Sequence, residues 1–281
     1  MSFPNRKPIY LLVDNGSLRP ESTLSLRRIA LRLGQRTGKT VYPVSLLHSD
    51  KVDPAEINGE PAITFLPFLR KLISKGKRDF RLLPLFFGPS RALTEYIPQQ
   101  VAQLRSETSD LRLELEPCLC PGDSASDSAM VSILVDAVRR QIEAQGLVKP
   151  YVALVDHGTP ARAVNEVRDR LSEGMAKTLG DEVVAVGPCS MERREGPAYD
   201  FNEPLLEKRL RQPGWSDANV VVAMLFLQPG RHAGAQGDVA EICTAAEADC
   251  QQLKTYMTPL VGEHPGLIDL LANRLSLAAH S

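Results

Sequence analysis

Two histidines, His157 and His232, are the residues of this sequence whose type and position best suit chemistry. His157 follows an apolar run in the segment ALVDHGT, and His232 follows a second apolar run in the segment LFLQPGRHAGAQGD. Imidazole binds borderline divalent metals and exchanges protons near neutral pH. The pair therefore indicates a metal or proton-transfer site. The alternative is that each histidine is an ordinary loop or capping residue.

Short apolar segments alternate with amphipathic helical patterns along the chain. In the first half, PIYLLV is typical of a buried strand, and ESTLSLRRIALRLGQRTG is typical of a helix that ends at Gly38. This alternation predicts a parallel sheet covered by helices on both faces. We therefore predict an α/β fold of two tandem, flavodoxin-like, doubly wound domains, each with a four-stranded parallel sheet. Ligands bind such sheets beyond the carboxyl ends of the strands, where His157 and His232 are expected.

The predicted strands recur in the same order in the two halves of the chain, which indicates an internal duplication. Four pairs of segments follow this order: LLVDNGS (11–17) with ALVDHGT (153–159), VYPV (41–44) with VVAV (183–186), LFFGPSRA (85–92) with LFLQPGRHA (225–233), and LELEPCL (113–119) with TYMTPLV (255–261). The segment QGLVKP separates a helical pattern from the next strand. We predict an N-terminal domain at residues 1–147 and a C-terminal domain at residues 148–281.

Composition and charge narrow the classes of function. Of the 281 residues 43% are hydrophobic and the formal net charge is −1, so no global basic field attracts nucleic acid or an acidic membrane. No apolar run is long enough to span a membrane, and the first one ends at Asp14, too early for a secretory signal. The five cysteines include no CxxC pair, which argues against a disulfide framework or a closed zinc site. We expect a cytoplasmic protein that binds neither nucleic acid nor membranes.

The segments around the two histidines resemble the class II tetrapyrrole chelatases. LVDHGT after the first strand of the second half and LFLQPGRHAGAQGDVAEI after the third carry this resemblance, and PLVGEHPGLIDLLANRL (259–275) is similar to the closing segment of that family. The sirohydrochlorin cobaltochelatases and ferrochelatases of cobalamin and siroheme biosynthesis are the most similar members. The resemblance covers both halves and implies the two-domain long form, with two chelatase-like domains.

The resemblance implies insertion of a divalent metal into sirohydrochlorin or a related tetrapyrrole, with Co²⁺ expected first and Fe²⁺ next. His157 and His232 are then the metal ligands and proton acceptors, and the metal is a substrate, so no permanently bound cofactor is expected. Both roles need neutral imidazole, so activity should fall on acidification. Glu192 is the expected acidic helper, in a loop that also holds Glu195 and is otherwise interpreted as solvated. Asp238 is interpreted as a helix N-cap or as a group that orients His232.

Sirohydrochlorin carries many carboxylates, and arginine binds carboxylates in a bidentate manner. Arg162, Arg193 and Arg231 are therefore the expected substrate-binding residues, with Arg194 in the same loops. Each arginine taken singly is also compatible with an ordinary surface position.

The N-terminal half has Asn15 where the C-terminal half has His157, and Ala92 where it has His232. Neither side chain suits cobalt or iron, so this half is predicted to be catalytically degenerate. His48 is the one residue of this half with another possible role. It either contributes to a site shared with the second half or is an ordinary loop histidine. An internal duplication can replace a homodimer, so we expect a monomer with a pseudo-two-fold pair of domains.

Two other functions are compatible with parts of this pattern. A non-catalytic relative of the chelatases would bind a tetrapyrrole or metal without turnover, but the presence of both histidines favours the enzyme. A flavodoxin-like nucleotide or flavin binder is the weaker alternative, because the loops after the first strands contain no GxGxxG or P-loop pattern.

Overall fold

Eight short apolar strands form two parallel, four-stranded sheets in this computed structural model, which describes residues 7–234 and 236–277. The strands of the first sheet, in the order β2-β1-β3-β4, are β1 (Ile9–Asp14), β2 (Val41–Ser45), β3 (Asp79–Pro84) and β4 (Arg112–Leu115). Those of the second sheet, in the order β6-β5-β7-β8, are β5 (Tyr151–Asp156), β6 (Val186–Ser190), β7 (Asn219–Met224) and β8 (Lys254–Met257). The predicted α/β fold of two four-stranded parallel sheets is confirmed.

Helices connect the parallel strands, as parallel pairing requires. Those of the first half are α1 (Pro20–Thr37), α2 (Phe65–Ser74), α3 (Ile97–Glu107) and α4 (Ser124–Gln145). Those of the second half are α5 (Arg162–Leu179), α6 (Leu206–Arg209), α7 (Asp238–Asp249) and α8 (Pro265–Leu277). Helix α1 begins at Pro20, whose fixed φ suits a first helical position, and Gly38 ends it with a φ of 67°.

The strands of the second sheet are buried on both faces. Ala153 and Val155 of β5 pack in a core cluster with residues of α6 and α7. Val152 and Leu154 point to the opposite face, because side chains alternate along a strand, and they are fully buried as well. On that side α5 contacts β5, and α4 contacts β7. Burial on both faces explains why these strands are continuous apolar runs rather than alternating ones.

The chain divides into two compact units, one of residues up to Leu119 together with those from Ile268 onward, the other Cys120–Leu267. These units differ from the predicted boundary at 147/148, because α4 packs against α5 and β7 of the second unit. Gly174 of α5 allows this close approach: a Cβ there would lie 2.6 Å from Val131 of α4. The domain boundary inferred from the sequence duplication stays a prediction.

The register of the sheets corrects one detail of the aligned segments. Tyr10 of β1 lies opposite Val41, and Val152 of β5 lies opposite Val186. Val41 therefore corresponds to Val186, and the alignment of VYPV (41–44) with VVAV (183–186) was wrong. A short 3-10 turn at Gly180–Glu182 lengthens the connection before β6 and moves the strand along the chain.

Within the described residues, no helix combines the length and the apolar character that crossing a membrane requires.

Candidate functional site

The carboxyl ends of β5 and β7 bring His157 and His232 together. The two strands pair in parallel up to Val155 and Met224, so the loops that follow them leave the same edge of the sheet. The imidazole rings of His157 and His232 lie with their centroids 4.5 Å apart and their planes at 73°. Strand order reverses direction at this pair, which is the switch point at which doubly wound sheets bind ligands.

Hydrogen bonding fixes which nitrogen of His157 is available. Its Nδ1 lies 3.0 Å from the carbonyl oxygen of Gly158, and a carbonyl only accepts, so Nδ1 carries the hydrogen and donates. In the neutral ring the lone pair is therefore on Nε2. That nitrogen lies 3.5 Å from Oε1 of Glu192, and both side chains are exposed. His157 thus presents a ring nitrogen with a lone pair next to a carboxylate.

Asp238 orients His232 and, as for His157, the hydrogen bond is made by Nδ1 of the ring. Nδ1 of His232 donates to Oδ2 of Asp238 at 2.6 Å, which leaves the lone pair of the neutral ring on Nε2. Asp238 is the first residue of α7, and the residue that caps the helix is Gly237. The interpretation of Asp238 as the N-cap was therefore wrong, whereas its contact with His232 is present. The backbone amide of Val239 also donates to the His232 carbonyl, at 3.2 Å.

The turn after β5 depends on Gly158. This residue has a φ of +91°, and a Cβ on it would lie 1.9 Å from the carbonyl oxygen of Glu192. The two segments are joined by their backbones, because the amide of Glu192 donates to the His157 carbonyl at 3.2 Å. Glycine therefore allows the histidine loop and the Glu192 loop to approach each other.

A buried carboxyl group lies directly below the histidine loop. Asp156, the last residue of β5, accepts hydrogen bonds at Oδ1 from the Ser190 hydroxyl, at 2.6 Å, and from the Gly158 amide, at 3.1 Å. Burial raises the pKa of Asp156, while the nearby Arg168 guanidinium and these two donors oppose the rise. The Asp156 carboxyl group therefore holds the turn after β5 in place through these two hydrogen bonds.

Sequence reasoning missed the polar side chains that support this turn, Arg168 and Asn202. Asn202 is fully buried, and its side chain accepts from the Thr159 amide at 2.9 Å and donates to the Thr159 carbonyl at 3.0 Å. Arg168 has a relative exposure of only 2%. One signal was available: Arg168 lies within the apolar stripe of α5, next to Val167 and one turn before Leu171.

The predicted substrate-binding arginines lie in different environments. Arg193 is held by Glu203, at 2.8 Å, and by Asp200, at 3.0 Å. Arg162 stacks over the ring of Phe201 at 4.8 Å, and the exposed Arg231 approaches the carboxylate that holds His232 at 3.7 Å. Arg194, in the same loops, lies 5.9 Å from the centre of the Tyr199 ring. The structure therefore engages Arg193 with protein carboxylates and leaves Arg231 facing solvent.

The first unit contains the same turn without the imidazoles. Gly16 has a φ of +87°, and a Cβ there would lie 1.8 Å from the carbonyl oxygen of Leu47. Asn15 occupies the place of His157, and Ala92 begins a short π-helix, Ala92–Tyr96, that leads into α3. His48 is exposed and has a φ of 69°. The geometry of the turn after the first strand is thus shared by both units, whereas the histidine pair is particular to the second.

No cluster of three or more His, Cys, Asp or Glu side chains suited to holding a metal ion occurs in the ranges 7–234 and 236–277. The candidate site therefore consists of the two facing imidazoles with Glu192 beside one of them.

Fold and site together define a doubly wound α/β protein with a bis-histidine centre at a switch point. Residues 151–278 match the model of the CbiX family. Residues 151–278 are thus similar to the CbiX family, and the resemblance to the class II chelatases in their two-domain form is confirmed. No curated protein matches this sequence.

Several solved structures share the fold over nearly the whole chain. SirB from Bacillus subtilis with Fe³⁺ is 14% identical, with a TM-score of 0.67 over 98% of this chain and 96% of that one. The sirohydrochlorin chelatase SirB from Bacillus subtilis subspecies spizizenii, in complex with cobalt, is 15% identical, with a TM-score of 0.66 over 98% and 96%. CbiX, the terminal enzyme for biosynthesis of siroheme in denitrifying bacteria, is 15% identical, with a TM-score of 0.60 over 97% and 99%.

Proposed function

We propose that this protein is a chelatase that inserts a divalent metal, Co²⁺ first and Fe²⁺ next, into sirohydrochlorin or a related tetrapyrrole. The observation that carries the proposal is the pair of facing imidazoles, with ring centroids 4.5 Å apart at the ends of β5 and β7. The family match of residues 151–278 and the cobalt- and iron-containing structures of the same fold support it. The first unit, with Asn15 and Ala92, is proposed to be catalytically inactive.

In this proposal the Nε2 atoms of His157 and His232 receive the incoming metal ion. Both nitrogens carry a lone pair because each Nδ1 donates to a fixed acceptor, Gly158 O or the Asp238 carboxylate. Two imidazoles hold Co²⁺ or Fe²⁺ without enclosing it, so the ion can be passed on to the four nitrogens of the ring. Asp238 keeps the Nε2 lone pair of His232 available by accepting its Nδ1 hydrogen.

Insertion of M²⁺ into the free ring releases two pyrrole protons, and the site needs bases to take them. As the metal leaves the protein for the ring, the Nε2 lone pairs of His157 and His232 become free to accept these protons. Glu192, 3.5 Å from Nε2 of His157, stabilises the imidazolium that results and can pass the proton to solvent. Metal donation and proton uptake thus use the same two nitrogens in sequence.

The arginines bind the carboxylates at the edge of the ring in this proposal. Arg162 and Arg231 are exposed and suited to that role. Arg193 contributes less, because a substrate carboxylate has to displace Glu203 or Asp200 from it.

The further expectations, namely a monomer and no permanently bound cofactor, belong to the same proposal.

The proposal is tested by anaerobic mixing of the full chain with sirohydrochlorin and Co²⁺ while the ring absorbance is recorded. We expect insertion to be much faster than the reaction without protein, and His157→Ala and His232→Ala to slow it by about 100-fold each. Asn15→Ala, at the corresponding position of the first unit, serves as the matched control and should insert metal at the wild-type rate. His48→Ala tests whether the first unit contributes.

Two outcomes would contradict the proposal. Insertion no faster than the protein-free rate, together with a spectral shift of the bound ring, would make the protein a non-catalytic tetrapyrrole binder. Fast insertion that both histidine variants retain would place the reaction elsewhere. Substitution of Fe²⁺ for Co²⁺ in the same assay decides which metal is preferred.

A further inference from the structure

Arg168 is the largest fully buried side chain of the described part of the chain, and it is charged. Arginine is almost never fully buried unless it is paired, because removing its charge from water is costly. Its guanidinium spans three segments of the second unit, so the cost of burial is offset by specific hydrogen bonds.

The guanidinium of Arg168 connects the end of β6 with the turn before α6. Nη1 donates to the Ser190 hydroxyl at 2.6 Å and to the Asn202 carbonyl at 3.2 Å. Nε and Nη2 both donate to Asp169, its neighbour in the chain, at 2.9 Å and 2.8 Å. Nη1 also lies 3.9 Å from Oδ1 of Asp156. One side chain of α5 thus links the end of β6 to the turn before α6.

Both segments that Arg168 contacts are hydrogen-bonded to the turn that carries His157. The Ser190 hydroxyl donates to the Asp156 carboxyl group, which also accepts from the Gly158 amide. The Asn202 side chain bonds both the backbone amide and the backbone carbonyl of Thr159. His157 lies directly before these two fixed residues. Ser190 is two positions before Glu192, so the same guanidinium also sets the segment that presents the carboxylate.

The first unit shows that the fold does not need an arginine at this position. Helices α1 and α5 have 18 residues each, and the seventh residue is Leu26 in the first and Arg168 in the second. Leu26 is buried to the same degree, with 2% exposure, and Asp14 and Ser45 remain buried below the corresponding turn. Replacing buried ion pairs by apolar side chains is often neutral or stabilising. A buried arginine therefore needs a reason other than stability.

We infer that Arg168 is a positioning residue of the metal site: it bridges Ser190 and Asn202 so that Nε2 of His157 and the Glu192 carboxylate face the incoming ion together. The inference rests on the proposed function for its role in catalysis. The effect of Arg168 on the orientation of His157 does not depend on that function. The unit that has lost both histidines is also the unit with leucine at this place.

The test uses three variants of the full chain. Arg168→Met removes the guanidinium but keeps an unbranched chain of similar reach. Arg168→Met combined with Asp156→Asn also removes the buried carboxylate that would be left without a cation, while the amide oxygen still accepts from Ser190 and Gly158. Arg170→Met is the matched control, because Arg170 is on α5 as Arg168 is, and the variant breaks its 2.8 Å ion pair with Asp127 of α4, away from the site.

Three quantities are measured for each variant: the melting temperature, the affinity for Co²⁺ alone by calorimetry, and the ring resonances of His157 by NMR. We expect Arg168→Met to weaken Co²⁺ binding by about 10-fold and to shift the His157 resonances. The double variant should recover melting temperature but not Co²⁺ affinity. The control should lose some stability and keep both site readouts.

Recovery of Co²⁺ affinity in the double variant would overturn the inference, because Arg168 would then only compensate the charge of Asp156. Unchanged His157 resonances in Arg168→Met would overturn it as well. Neither readout requires turnover, so a wild-type protein that fails to insert metal contradicts the proposed function and leaves this test intact. Where insertion is observed, Arg168→Met should lower kcat more than it raises KM for the ring.

Discussion

Nδ1 of His232 lies 2.6 Å from the carboxylate of Asp238, which begins the helix that follows the histidine loop. The contact spans six positions of the chain and closes the loop onto the first turn of α7. It fixes both the ring orientation and the tautomer of His232, since a carboxylate accepts and the ring must donate. A loop histidine without such a partner would be free to rotate away from His157.

Asp238→Ala should therefore weaken metal binding without removing a ligand. We expect the affinity for Co²⁺, measured by calorimetry, to fall by about 10- to 100-fold. Asp249→Ala, at the other end of α7, removes an exposed ion pair with Arg211 and should leave the affinity unchanged. Equal losses in the two variants would mean that α7 itself had been disturbed and that Asp238 has no particular role.

The glycine turns of the two units provide a second matched pair. Gly158→Ala and Gly16→Ala each place a methyl group within 2 Å of a carbonyl oxygen, at positive φ. Both should lower the free energy of unfolding by about 2 kcal/mol or more. Only Gly158→Ala should also weaken Co²⁺ binding, because only that turn holds a histidine of the pair. Loss of Co²⁺ binding in Gly16→Ala would argue against a site confined to the second unit.

Glu192→Gln tests whether the carboxylate beside His157 takes part in the reaction. We expect the rate of metal insertion to fall by about 10-fold, because the neutral amide stabilises a protonated imidazole less than a carboxylate does. Glu195→Gln, in the same exposed loop, is the control and should react as the wild type does. If the two variants behave alike, Glu192 is an ordinary residue of a solvated loop.

A pH-dependent contribution to stability is expected from Asp136 of α4. Its carboxylate accepts from Nε2 of His264 at 2.7 Å and pairs with Arg140, and the hydrogen bond from His264 lowers its pKa. A lowered pKa stabilises the folded state above the ordinary aspartate value of about 3.9, and this stabilisation is lost as pH falls through the lower, folded-state pKa.

Asp136→Asn should therefore lower the free energy of unfolding at pH 7, by only about 0.5 kcal/mol because the pair is half-exposed and screened by solvent. The difference should shrink below about pH 4. Urea unfolding of both proteins at the two pH values measures it. A difference that grows on acidification would contradict the assigned direction of the pKa.

The alternation of apolar strands with amphipathic helices was readable in the sequence because continuous apolar runs and an apolar period of 3.6 residues are local properties. Parallel pairing then places all carboxyl ends at one edge of each sheet, which is why His157 and His232 could be expected near each other. The alignment placed β6 too early in the chain, since the length of the connection after α5 depends on a turn at Gly180–Glu182. The register that corrects it comes from hydrogen bonds between distant segments.

The sequence by itself thus determined the fold class and the two histidines at the ends of β5 and β7. Only the tertiary structure decided which groups support them. Arg168 meets Ser190 and Asn202 across three separate segments, and Asp238 turns towards His232 instead of capping its helix. It also decided that α4 packs with the second unit. The physical reason is the same in each case. Local propensity determines whether a segment forms a helix or a strand. The partner of a buried charge or of an apolar helix face depends on how segments far apart in the chain pack together.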